Sequence, residues 1–235
     1  MTETTVWGEI DGQTITFPME VTSMDAATLV FSVPSAAAQA LLPGPDFEVA
    51  EMVEGVAQLV LALCDYQENP WGDYLELNLG FLARPRGAGP EVLGSFVFRM
   101  PVDQEFTCKA GNEVMGFPKT VEDLRVARQG GRVTFDLYLD GVLEVGIGFD
   151  EPTQSGEPSL VETVSYSYLD GEPYETALAM QMGTGMIDPA SVRIDLGHGP
   201  FASDLRTLGL PELTPDFGTW GTGLAATFQL GRPVG

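Results

Sequence analysis

Two-residue glycine turns punctuate this chain, and they leave it few folds to choose from. Gly130-Gly131 separates residues 123–128 from residues 132–139, and Asp140-Gly141 separates those from residues 142–149. Asp170-Gly171 repeats the pattern between residues 161–168 and 174–180. Such linkers favour the positive-φ turns whose twist matches that of paired strands. A Pro/Gly loop over residues 84–90 joins two further apolar segments, 74–81 and 92–98. Within residues 74–81, Leu75, Leu77, Leu79 and Phe81 share one face, while Tyr74, Glu76, Asn78 and Gly80 share the other. Period-2 segments joined by tight turns predict an antiparallel meander. With about ten strands, closure into a barrel removes exposed edges.

Helical signals are few. Ser35 is placed to cap a helix over residues 36–42 that stops at Pro43. Asp103 could cap a short helix through Ala110, ended by Gly111, and residues 201–208 could form a third, ended by Gly209. No repeat or interdomain linker interrupts the chain, and residues 151–159 read as a surface loop. The expectation is one mostly-β (α+β) domain spanning residues 1–235, an antiparallel meander closed into a barrel with a few short helices. A hydrophobic fraction of 44% suffices for its core.

Thirty-four acidic residues against 11 basic ones give a net charge of -23, spread along the chain. Such a surface repels phosphate backbones and anionic bilayers, so neither nucleic acid nor membrane is expected as a partner. The N-terminal segment Met1-Thr2-Glu3-Thr4-Thr5 has neither a basic region nor an apolar one, and a cytoplasmic location is expected. Cys64 and Cys108 with a single histidine, His198, cannot build an ordinary zinc site, so no metal is expected and both thiols read as reduced. His198 has no Gly-x-Ser-x-Gly partner motif and reads as structural or as a modest pocket residue.

Only two of the basic residues are lysines, Lys109 and Lys119. Lys119 follows Gly116-Phe117-Pro118, where the proline fixes its own φ and extends the residue before it. Val114, Met115, Phe117 and Val121 flank it. A lysine after a proline is ordinarily a solvated loop residue. Held among apolar side chains, however, an amine loses solvation of its cationic form and becomes available as a nucleophile. In water a lysine is neutral in only about one molecule in 2,500 at pH 7.

The segment Gly111-Asn-Glu113-Val-Met-Gly-Phe-Pro-Lys119 resembles the Gly-Arg-Glu…Pro-Lys segment of the acetoacetate decarboxylase family. Trp71-Gly-Asp-Tyr74-Leu-Glu76 resembles that family's Gly…Tyr-x-Glu strand, and Leu196-Gly-His-Gly-Pro200 with Asp204-Leu205 resembles a C-terminal family segment. The similarity runs from about Ala26 to the last strand and is most specific around Lys119 and Glu76. It implies that Lys119 forms a Schiff base, that Glu76 lines the active site and shuttles protons, and that Glu113 supports the loop presenting the lysine. Met100, Met115 and Phe117 are candidate pocket walls, with ordinary core packing as the competing reading.

The departures matter as much. The family's decarboxylases carry a second lysine directly after the catalytic one, where this chain has Thr120. A family arginine aligns with Met24 and a second pocket glutamate with Leu61. Thr120, Met24 and Leu61 are therefore counted with the substrate-binding candidates. Without a cationic neighbour, desolvation must activate Lys119 by itself. The reading that follows is a decarboxylase-like lyase acting on a larger or less charged carbonyl compound, with aldol cleavage, dehydration and true β-keto acid decarboxylation as variants. It needs no metal or organic cofactor. The competing class is a non-catalytic barrel that binds an apolar small molecule. Relatives of this kind are commonly oligomeric, so a homo-oligomer is expected.

Overall fold

The computed structural model describes residues 4–235; Met1–Glu3, part of the N-terminal segment discussed above, lie outside the described residues. The described chain opens with a hairpin, β1 (Thr5–Ile10) and β2 (Gln13–Phe17), turning at Asp11-Gly12. A 16-residue strand follows, β3 (Met19–Pro34), then helix α1 (Ser35–Ala40) and two short strands, β4 (Phe47–Val49) and β5 (Glu51–Val53). Next come β6 (Val56–Glu68), β7 (Tyr74–Pro85) and β8 (Gly94–Val102), helix α2 (Glu105–Met115) and the three-residue strand β9 (Lys119–Val121). Three strands then run consecutively as β10 (Asp123–Gln129), β11 (Arg132–Leu139) and β12 (Val142–Asp150). The remainder comprises β13 (Ser159–Leu169), β14 (Glu172–Met182), β15 (Gly185–Met186), a 3-10 turn at Pro189–Ser191, β16 (Arg193–Leu196), α3 (Pro200–Thr207), β17 (Phe217–Phe228) and β18 (Arg232–Pro233).

Seven strands close into a ring in the order β17-β3-β6-β7-β8-β13-β14, with β14 pairing back onto β17 through Leu178–Met180 and 226–228. The expected meander holds from β3 through β8. It breaks where β8 meets β13, which runs parallel to it at Ser95 and Phe96. The intervening hairpins leave the ring: β10-β11-β12-β16 form a separate four-stranded sheet. The glycine turns lie where the sequence puts them, with Gln129 opposite Arg132, Leu139 opposite Val142 and Leu169 opposite Glu172. Asp140 and Asp170 both adopt positive φ, as the type of turn requires.

Two apolar clusters use opposite faces of the ring strands. Leu77, Leu79 and Phe81 join β3 and β6 residues, the four-stranded sheet and α3 in the larger cluster. The other cluster gathers Met24, Cys64, Tyr66, Tyr74, Met100 and Val102 with α2 and the β1–β2 hairpin. Because Glu76 alternates with the leucines, it faces this second cluster. At about 25 cal/mol per Å2 of apolar surface, the buried aromatic and branched side chains of the two clusters dominate folding.

The helices start and stop differently from the sequence reading. Pro34 precedes α1 and supplies no side-chain cap; Ser35 is its first residue, and its N–H is held by the Gly55 carbonyl. The cap of α2 is Gln104, not Asp103: its side-chain oxygen accepts from the Thr107 N–H at 2.8 Å. The helix runs past Gly111 and ends at Gly116, in the left-handed region at φ 65°. Among the described residues no helix is long and apolar enough to cross a membrane.

Candidate active site

The site is assembled where β9, β8 and β7 lie side by side. Lys119 pairs with Met100 of β8, and Glu76 pairs with Val102 of the same strand. Their side chains therefore meet over β8. Lys119 Nζ lies 2.7 Å from Glu76 Oε2, and each side chain is only 4% exposed. A lysine following a proline is thus one of the most deeply buried charged groups in the molecule, because three local features hold it there.

The first is the end of α2. The Gly116 N–H bonds to the Asn112 carbonyl and the Phe117 N–H to the Gly111 carbonyl, which closes the helix and turns the chain sharply. A side chain at Gly116 would fall 2.3 Å from the Tyr168 carbonyl oxygen, so only glycine fits. The second is Asn112, whose side chain accepts from the Lys119 N–H at 2.9 Å and donates to the Lys119 carbonyl at 3.1 Å. The third is Gly111. A Cβ there would sit 2.7 Å from Cδ and Cε of Lys119, so the missing side chain is the space through which the lysine passes. The glycine read as a helix stop is instead an interior helical residue that makes room for the lysine.

Around the pair the polar groups are ordered. Lys119 Nζ donates to Thr107 Oγ1 at 3.3 Å and lies 5.1 Å from the centre of the Tyr74 ring. The Tyr66 hydroxyl and the Asn78 amide donate to Glu76 Oε1 at 3.3 and 3.1 Å. Tyr66 and Tyr74 stack with ring centres 4.3 Å apart. Burial, reinforced by the Glu76 charge, holds both phenols well above their ordinary range, so they stay protonated. Burial likewise pushes the Cys64 thiol up and keeps it neutral. Asn78 Oδ1, beside Glu76, is buried without a hydrogen-bond partner.

Of the residues singled out in the sequence, Met24, Met100, Met115 and Phe117 are buried in the cluster that surrounds the pair. Leu61 is not among them. It pairs with Leu79 and packs in the larger cluster on the opposite face; Ala62 and Cys64 are the β6 residues on the side of Glu76. Thr120 is exposed, because the residue after Lys119 on a strand points to the other side. Glu113 is exposed as well, and the neighbouring Asn112 braces the lysine's backbone. His198 is exposed in the turn before α3. The buried carboxylate of that turn is Glu144, which accepts from the Gly199 and Ala202 N–H groups at 2.7 and 2.9 Å and so caps α3. Thr107, Tyr66 and Asn112 were missed by sequence reasoning. Only Asn112 lay within a recognised motif, and its neighbour was chosen in its place.

A closed seven-stranded ring with a lysine–carboxylate pair buried on one face defines the structural class. The sequence model for "Acetoacetate decarboxylase (ADC)" matches residues 9–174, and the chain belongs to the acetoacetate decarboxylase family. Solved structures share the fold. Acetoacetate decarboxylase from Legionella pneumophila subsp. pneumophila str. Philadelphia 1 is 15% identical, with a TM-score of 0.65 over 93% of this chain and 87% of that one. The enduracididine biosynthesis enzyme MppR, complexed with the condensation product of pyruvate and imidazole 4-carboxaldehyde, is 18% identical, with a TM-score of 0.57 over 92% and 88%. An acetoacetate decarboxylase-like enzyme from Sphingomonas wittichii RW1 is 14% identical, with a TM-score of 0.60 over 98% and 99%. At these identities the likeness is one of fold. No curated protein matches the chain by sequence.

Proposed function

We propose that this protein is a Schiff-base-forming lyase in which Lys119 attacks the carbonyl carbon of a small molecule and Glu76 moves the protons. The observation that carries the reading is the 2.7 Å contact between Lys119 Nζ and Glu76 Oε2, with both side chains buried. Passing one proton along this contact leaves a neutral amine beside a carboxylic acid. The amine attacks the carbonyl, the acid protonates the carbinolamine hydroxyl, and water departs to leave an iminium. The iminium draws electrons from a bond β to nitrogen, which breaks or forms; the resulting enamine is reprotonated, and water releases the lysine. Tyr66 and Asn78 fix the carboxylate by donating to its second oxygen, which leaves Oε2 free to face the amine. The MppR complex on the same fold, with the condensation product of pyruvate and imidazole 4-carboxaldehyde, supports counting carbonyl condensation among the reactions open to such a site.

Borohydride trapping tests this directly. Incubation with a panel of ketones and aldehydes, reduction, and peptide mass analysis should place a stable adduct on the Lys119 peptide. Lys109, paired on the surface with Asp11, serves as the internal control. Lys119→Arg should abolish the adduct, and Glu76→Gln should slow its formation by about 100-fold. A panel that leaves Lys119 unlabelled would return the protein to the class of non-catalytic binding barrels. Release of carbon dioxide separates decarboxylation from aldol chemistry.

A further inference from the structure

We infer that the substrate of the Lys119 site is an uncharged ketone or aldehyde rather than a keto acid. The inference rests on the Schiff-base reading above and concerns only what the site admits. Its basis is where the chain's positive charges are spent. Of the 11 basic residues, Lys119 alone reaches Glu76. Seven arginines pair with carboxylates elsewhere, among them Arg99 with Asp204 of α3 and Arg128 with Asp25 and Glu151. Arg193 and Arg206 hold backbone carbonyls around β16, and Lys109 pairs with Asp11. Among the described residues the buried site therefore contains one cation and one anion, already matched.

Imine formation does not change that balance. The iminium keeps the single positive charge at nitrogen, still facing the Glu76 carboxylate. A carboxylate on the substrate would add a second buried anion beside Glu76, with no cation to answer it, and an unpaired buried charge is strongly disfavoured. Asn78 Oδ1, a buried unpartnered atom beside Glu76, is an acceptor and offers a carboxylate nothing. The apolar cluster on this face points the same way, since Met24, Met100, Met115 and Phe117 bring it no charge. With no carboxylate to lose, the iminium discharges by giving an α-proton to Glu76. The C–H electrons become the enamine double bond, whose carbon adds to the carbonyl carbon of a second uncharged carbonyl compound while Glu76 returns the proton to the new alkoxide oxygen; water then releases the aldol product from Lys119.

Matched acid and ester pairs decide the point. Acetoacetate against methyl acetoacetate, and pyruvate against methyl pyruvate, are each trapped with borohydride at pH 7. The labelling rate of the Lys119 peptide is normalised to that of Nα-acetyl-lysine, which removes the esters' greater intrinsic reactivity. The expected result is a normalised rate about tenfold or more higher for the esters. Equal or faster labelling by the acids overturns this inference and leaves the Schiff base standing. Labelling by neither member of either pair, nor by a panel of uncharged aldehydes, sinks the Schiff-base reading and the substrate class with it.

Discussion

Gly111 is the residue on which the site's geometry turns. Alanine suits a helix interior better than glycine by about 1 kcal/mol, so Gly111→Ala should leave the melting temperature within a few degrees of the parent. Its new Cβ would stand 2.7 Å from Cδ and Cε of Lys119, and the flexible lysine would give way. Borohydride trapping at Lys119 should then fall by about tenfold or more, since small displacements of a reacting group are costly; unchanged trapping would show that the lysine's path is not limiting. Asn112→Ala removes both hydrogen bonds to the Lys119 backbone and should cost about 1–2 kcal/mol in urea unfolding, whereas Glu113→Gln should change neither stability nor trapping. The lysine and its carboxylate were legible in the sequence because each sits in a short, specific motif. Asn112 and Thr107 were not, because their contacts exist only if α2 continues through a glycine that, by propensity, should end it.

Where strands meet, charge pairs set a pH dependence. Asp25 of β3 lies opposite Asp65 of β6. Partial burial, and then the neighbouring Asp25 charge, hold the Asp65 carboxyl above its ordinary range. A carboxyl raised in the folded state binds its proton more tightly there than in the unfolded chain. It therefore favours folding at low pH and opposes it once the pH rises above the folded-state value. Asp65→Asn should accordingly raise the melting temperature at pH 7, with the gain shrinking as the pH falls through the acid range; a gain independent of pH would point to packing instead. Element identity was largely readable, because Asp-Gly and Gly-Gly turns impose local geometry that distant packing does not override. The same rule would have found the unremarked Asp11-Gly12 turn, where Asp11 also has positive φ. Strand partnership was not readable. Nothing local in β10, β11 or β12 says that they leave the ring, since alternation looks the same in either sheet. The choice of face at Leu61 failed for a related reason: in this strand Leu61 and Cys64 are both buried, on opposite sides.

For the molecule as a whole, a net charge of -23 on 235 residues makes self-repulsion a standing cost of compactness. Sodium chloride screens such repulsion over about 10 Å at 0.1 M. Raising it from 0.02 to about 0.5 M should raise the melting temperature, and a fall would mean that the surface ion pairs outweigh the excess of acid. The matched family segment ends at residue 174, yet the ring is completed only by Phe217–Phe228, which slots between β3 and β14. On the ribosome, therefore, one flank of the 16-residue β3 must wait unzipped until residues 217–228 have been made. A nascent product that stops short of β17 would expose that flank to any neighbouring strand, and the Lys119 amine would be on hand before there was a finished wall to shelter it.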